Sequence, residues 1–182
     1  MAKFYTSTGD DGYAGRLGEG RFPKDDPFFE AIGAVDEATA AMGIARAAST
    51  ATETRSLLLA AQKDLYLLMA ELSATKQNAA RYQKIDAARV IWLEEQTDTI
   101  QSKVKLPHEF IVPGDSVAGA HVALARTFVR RAERRVAGMF HSGELENVEL
   151  LRYLNRLSSL CFLLELLENE AAGRSEPTLA KD

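Results

Sequence analysis

The sequence predicts an all-α fold, a five-helix bundle entered through a long N-terminal loop. Long stretches without proline repeat apolar residues at helical spacing, as Val122, Val129, Ala132 and Val136 do within 116–140. Runs that alternate like strands are almost missing. The chain has 182 residues, 46% of them hydrophobic, which is enough for one sizeable core. It shows no internal repeat, so residues 1–182 read as a single domain.

Residues 1–25 hold five glycines and no helical periodicity. A loop of that length is usually functional. Asp26-Pro27 marks a helix start, with proline at the first helical position, and this first helix runs to about Ala48. The second covers about 53–76, with Leu58, Leu65, Met69 and Leu72 on one stripe. A polar linker follows at 75–84. Asp86 caps a third helix over about 87–102, which carries Val90, Leu93 and Ile100. Phe110-Ile-Val-Pro113-Gly114 is a short apolar segment ending in a turn. Asp115 or Ser116 then caps the fourth helix, at about 116–140. A leucine-rich fifth helix runs to about 171, Gly173 ends it, and 174–182 reads as a frayed tail. Long antiparallel helices with apolar stripes imply a bundle.

Composition narrows the function. A net charge of −4 argues against bulk nucleic-acid binding. No apolar run approaches the ~20 residues of a membrane span, and no cleavable signal precedes Lys3-Phe4-Tyr5. The single cysteine, Cys161, lies among leucines and reads as a small core residue. A lone thiol fits a reducing compartment, the cytoplasm. His108, His121 and His141 lack metal-ligand spacing, so no metal site is expected.

Within the fourth helix, Arg126, Arg130, Glu133 and Arg134 share one arc beside the apolar stripe. Three arginines with one glutamate suit an anion with several oxygens, such as a polyphosphate. A solvated charged face is the other reading. In the first helix, Asp36 shares an arc with Phe29, Ile32, Gly33, Ala40, Gly43 and Ala47. A carboxylate on that small-residue face should be partly buried and need a partner, with the arginines the obvious ones. Alternatively, it sits solvated at the rim. In the N-terminal loop, the hydroxyls and glycines of Tyr5-Thr-Ser-Thr-Gly-Asp-Asp-Gly12 expose N–H groups that can cradle phosphate, with Lys24 adding a point charge. No Gly-Lys-Ser/Thr follows, so it is not a Walker A loop; by itself it could be merely a flexible start.

Six segments taken in order resemble the PduO-type ATP:corrinoid adenosyltransferases. These are Tyr5 to Gly12; Lys24-Asp-Asp26; Gly33-Ala-Val-Asp-Glu-Ala-Thr39; Phe110-Ile-Val-Pro-Gly-Asp115; Arg126 to Arg134; and Tyr153-Leu-Asn-Arg-Leu-Ser158. The resemblance implies a homotrimeric helical bundle with ATP between neighbouring subunits and a corrinoid, cobalamin, beside it. Cobalt reduced to Co(I), with electrons from a flavin-type reductase, attacks the 5′-carbon of ATP and releases triphosphate, which Mg²⁺ shields. No protein nucleophile is needed, and none is evident. By match, Thr6, Ser7, Thr8, Gly9, Lys24, Arg130, Arg131, Glu133, Arg134 and Asn155 contact ATP. Arg126, Arg130 and Asp36 serve catalysis, Asp36 and Arg126 as an intersubunit ion pair. Phe110 fills the space below cobalt and excludes a lower axial ligand; plain core packing is the other reading of that residue. Ser7 departs from the family's Lys or Arg, Ala14 from Thr or Ser, Ala38-Thr39 from Leu-Asn, and Asp115 from Gly. A trimer that binds nucleotide or corrinoid without turnover is the alternative function.

Overall fold

The computed structural model describes residues 4–181. A small antiparallel hairpin, β1 (Tyr13–Gly15) and β2 (Arg21–Pro23), precedes α1 (Pro27–Ala48) and α2 (Thr52–Ser73). A single turn, α3 (Ala79–Tyr82), leads to α4 (Ala87–Gln101), α5 (Val117–His141) and α6 (Glu149–Ala171). The five long helices are those the periodicity predicts. The hairpin and α3 correct the reading of 1–25 and 75–84 as structureless.

The start signals act as read. Asp26 accepts from the Phe28 N–H at 2.9 Å, with Pro27 beside it. Asp86 accepts from Arg89 N at 2.9 Å. Ser116, rather than Asp115, caps α5 through Gly119 N. The start of α2 is different, since Ala51 offers no capping side chain. The fully buried Glu168 carboxylate of α6 does this instead, accepting from Thr50 N and Oγ1 and from Ala51 N. An anion at a helix N-terminus is favoured by the orphan N–H groups and the dipole.

α5 is the central helix, packed between α1 and α6, with α2 against α1 and α4 against α6. Val122, Ala125, Val129, Ala132 and Val136 of α5 are wholly buried. They meet Val35, Ala38 and Met42 of α1 and Leu150, Leu154, Leu157 and Leu164 of α6 in one continuous core. Alanine at so many facing positions lets helices α1 and α5 approach closely. A second buried carboxylate, Asp64, is tied across elements. Tyr153 O–H donates to Asp64 Oδ2 at 2.6 Å, and Arg89 completes that carboxylate at 2.7 Å. Cys161 is fully buried, and burial pushes its thiol up to about 12, which removes thiolate chemistry.

The tail is not frayed. Ile111 and Leu179 form an antiparallel bridge, and Thr178 and Ala180 bond to the 110–115 segment, so residues 174–181 are folded back onto the bundle. Among the described residues no helix is long and apolar enough to cross a membrane.

Candidate active site

The N-terminal turn is built by residues that flank it. Gly12 adopts φ +80, and the hairpin register sets Gly15 opposite Arg21. That register lets Arg21 grip the Asp11 carboxylate with two nitrogens, at 2.8 and 2.7 Å, and donate to the carbonyls of Thr8 and Tyr13. The bidentate hydrogen bond to Arg21 holds the Asp11 carboxyl below its ordinary range. Lys24 Nζ donates to the Gly9 carbonyl at 2.7 Å, and Thr6 and Thr8 join through their hydroxyls at 2.9 Å. Ser7 is the one described non-glycine residue at positive φ, +57. Strain of this kind persists where surrounding contacts fix the chain, often at ligand loops. Arg21 escaped the sequence reading; its pairing with Asp11 depends on hairpin register, which composition does not reveal.

The hairpin is moored to the bundle by Arg16. Its guanidinium donates to the Ala74 carbonyl at 2.9 Å and stacks 3.7 Å over the Phe28 ring. Between hairpin and α5 lies a cavity of about 590 Å³, lined by Arg16, Phe22, Phe28, Arg134 and Arg135 among others.

On α5 the arginines divide. Arg130 and Arg134 are exposed and make no hydrogen bond or ion pair among the described residues. Like charges one turn apart repel and cost stability when nothing neutralises them. Beside them Asn155 donates to Glu133 at 2.9 Å and accepts from Arg156, which holds Glu94 at 2.8 Å. Arg131 does not share this arc. It pairs with Glu37 of α1 and stacks on Phe128 at 4.7 Å.

Arg126 lies two turns before Arg134, about 12 Å along the axis. It lines a second cavity, of about 430 Å³, with His108, Phe110, Pro113, Phe162 and Glu165. Its Nε is buried without a partner, and so is one oxygen of Glu165. Phe110 is 86% exposed at this cavity, which corrects the core-packing reading of that residue. Asp36 is exposed on α1, so the expectation of partial burial fails within the single chain. Its small-residue face is uncovered at Gly33, Ala40 and Ala47. No ion pair joins Asp36 to Arg126 inside the chain, and no hydrogen bond or ion pair joins the Thr6–Gly9 turn to Arg130, Arg134 or Asn155.

Burial raises the Glu165 carboxyl from 4.5 to about 7, with Arg126 pulling the other way. The folded chain therefore holds a proton that the unfolded chain has lost between those values. The resulting stability is complete below pH 4.5 and lost as pH rises through about 7. Glu165→Gln should remove pH dependence on the order of 3 kcal/mol from that window. Melting temperatures measured from pH 4.5 to 8 check it, and an unchanged slope in the variant would assign the dependence elsewhere.

A family model described as cobalamin adenosyltransferase matches residues 4–168. The chain is 36% identical over 169 residues to a corrinoid adenosyltransferase of Citrobacter freundii, covering 92% of this chain and 96% of that protein. It is 34% identical over 172 residues to the corrinoid adenosyltransferase PduO of Salmonella typhimurium; that match covers 94% of this chain but only 51% of that longer protein. Among solved structures, a phenylalanine-to-histidine variant of a PduO-type ATP:corrinoid adenosyltransferase from Lactobacillus reuteri, complexed with cobalamin and ATP, superposes with a TM-score of 0.87. The two are 27% identical, over 98% of this chain and 97% of that one. The matched span takes in the N-terminal turn, the arginine helix and most of α6 together, and the chain belongs to the cobalamin adenosyltransferase family.

Proposed function

We propose that this chain transfers the 5′-deoxyadenosyl group of ATP to the cobalt of a reduced corrinoid, with release of triphosphate. The observation that carries this reading is the pair of unpaired arginines, Arg134 lining the cavity under the hairpin and Arg130 one turn from it toward the cavity beside Phe110. Two free guanidinium groups at that point suit the triphosphate, whose leaving-group charge they stabilise as it develops. Glu133 and Asn155, fixed on each other, border the same place and contact the nucleoside portion of ATP. Arg131, already paired with Glu37, braces the α1–α5 seam from behind.

The reacting nucleophile is the substrate's cobalt, so the protein's work is alignment and charge stabilisation. Among the described residues no group of three acidic, histidine or cysteine side chains could hold a metal ion. In this reading Mg²⁺ enters as the counter-ion of the triphosphate, whose oxygens supply ligands.

The site is completed by a second copy. The Thr6–Gly9 turn with Lys24 makes no hydrogen bond or ion pair with its own chain's arginine stripe and reaches that of a neighbour. The bare α1 face around Asp36, with Ile44 of α1 and Leu124 of α5 also exposed, is the surface a neighbour covers. A trimer places Asp36 of one subunit against Arg126 of the next, where the orphaned Nε–H donates to the carboxylate. The buried single thiol agrees with a cytoplasmic setting, where a flavin-type reductase supplies the electrons.

Millimolar ATP with Mg²⁺ should raise the melting temperature. Ligand at ~100 times its dissociation constant adds about 2.7 kcal/mol of stability. No shift would count against a nucleotide site. Adenosylated corrinoid formed from ATP and chemically reduced cobalamin tests the reaction itself; a shift without product would leave a binding protein only.

A further inference from the structure

Residues 106–115, between α4 and α5, contain no helix or strand, yet they carry Phe110. The exposed ring is not held by packing, so its place depends on the backbone that bears it. Among the described residues, every hydrogen bond made by 106–115 goes to the C-terminal tail. Ala180 N donates to the Phe110 carbonyl at 2.7 Å, and Val112 N donates to the Thr178 carbonyl at 2.8 Å. Thr178 in turn donates its hydroxyl to Asp115 Oδ1 at 2.6 Å and its N–H to Asp115 Oδ2 at 3.0 Å. Both oxygens of one carboxylate are thus engaged by one threonine, and those bonds keep the Asp115 carboxyl below its ordinary range.

We propose that the segment Thr178–Ala180 is a clasp that positions Phe110 against the corrinoid, and that Asp115 and Thr178 are its lock. Asp115 stands where the resembled pattern has glycine, which has no side chain to take this role. The clasp fixes the loop from both sides of the ring: Ala180 at the Phe110 carbonyl, Thr178 at Val112 and Asp115. With the tail absent, 106–115 loses all of these bonds, and Gly114, at φ +135, leaves the loop free to swing. A ring that must exclude a ligand from one face of cobalt tolerates little displacement. Asp115 and Thr178 are positioning residues, acting on the reaction through Phe110. This inference rests on the adenosyltransferase reading of the site.

Three variants test it: a chain ending at Ser175, Thr178→Val, and Thr178→Ser. Each is assayed for adenosylation of reduced cobalamin, with KM determined separately for ATP and corrinoid. The fraction of four-coordinate Co(II) cobalamin formed with ATP is read by electron paramagnetic resonance. The truncated chain should keep its helical content and its ATP-induced melting shift. Its corrinoid KM should rise, its four-coordinate fraction should fall, and turnover should drop by on the order of 10²-fold, the cost of a misplacement near 1 Å. Thr178→Val should move the same readouts in the same direction by less, and Thr178→Ser should match the intact chain. A truncated chain with the intact chain's corrinoid KM and spectrum overturns the clasp. Truncation that impairs the site while Thr178→Val does not overturns the lock. An intact chain that forms no adenosylated corrinoid overturns the parent reading instead, so the failures are distinct.

Discussion

Arg130→Ala should fold and melt like the parent chain and lose on the order of 10²–10³ in turnover. Stability is spared because the side chain is exposed and makes no hydrogen bond or ion pair; removing it even relieves repulsion from Arg134. Turnover suffers because charge accumulates on the departing triphosphate, where a preorganised donor counts most. The loss should fall on kcat more than on the KM for ATP, since in the proposed site Arg134 and the N-terminal turn of a neighbouring copy would still bind the ground state. Arg130→Lys should recover part of the rate, keeping the charge but not the fork. Single-turnover measurement of adenosylcobalamin formation checks this, and a near-parental rate for Arg130→Ala would remove this residue from the mechanism.

Asp36→Ala and Arg126→Ala should each weaken the assembly and its shared site, and not equally. Removing one partner of a desolvated ion pair costs roughly 3–5 kcal/mol, because the other charge is left stranded. Arg126 has two dependants. Besides Asp36 of the neighbour, its partner in the proposed assembly, it is the cation that eases the charge of the buried Glu165 within its own chain. Its loss should therefore cost more than the loss of Asp36, and should raise the Glu165 carboxyl further. The double variant should be less damaged than the sum of the singles. Sedimentation equilibrium and turnover, read together in a double-mutant cycle, decide it. Strictly additive losses with an intact trimer would mean that the two residues do not meet.

The five helices were legible in the residues because each announces itself locally. Asp26-Pro27, Asp86 and Ser116 open helices through bonds to their own next few residues. The stripes of α4 and α5 are buried where the 3.6-residue period puts them. Arg130, Glu133 and Arg134 share an arc for the same reason, and Asn155 meets Glu133 because α6 packs along α5. Arg131, one position round the helix, meets Glu37, a partner that α1 brings from far away in sequence.

What only the tertiary structure decided is what depends on distant chain segments meeting. Arg21 organises the N-terminal turn because a hairpin register brings it to Asp11. Glu168 replaces a missing cap on α2 across more than a hundred residues. The tail read as frayed because its composition is polar and short of periodicity; its order comes from the unsatisfied N–H and carbonyl groups of 110–115, which it pairs. Asp36 read as buried because its arc is apolar, but the chain alone leaves that arc uncovered. The sequence by itself determined the helices and the residue types offered to an anion, since caps and periodicity act within a few residues. Which of those residues stand free, which are already paired, and what holds Phe110 were decided by tertiary contacts, since partners far apart in sequence leave no local pattern to read.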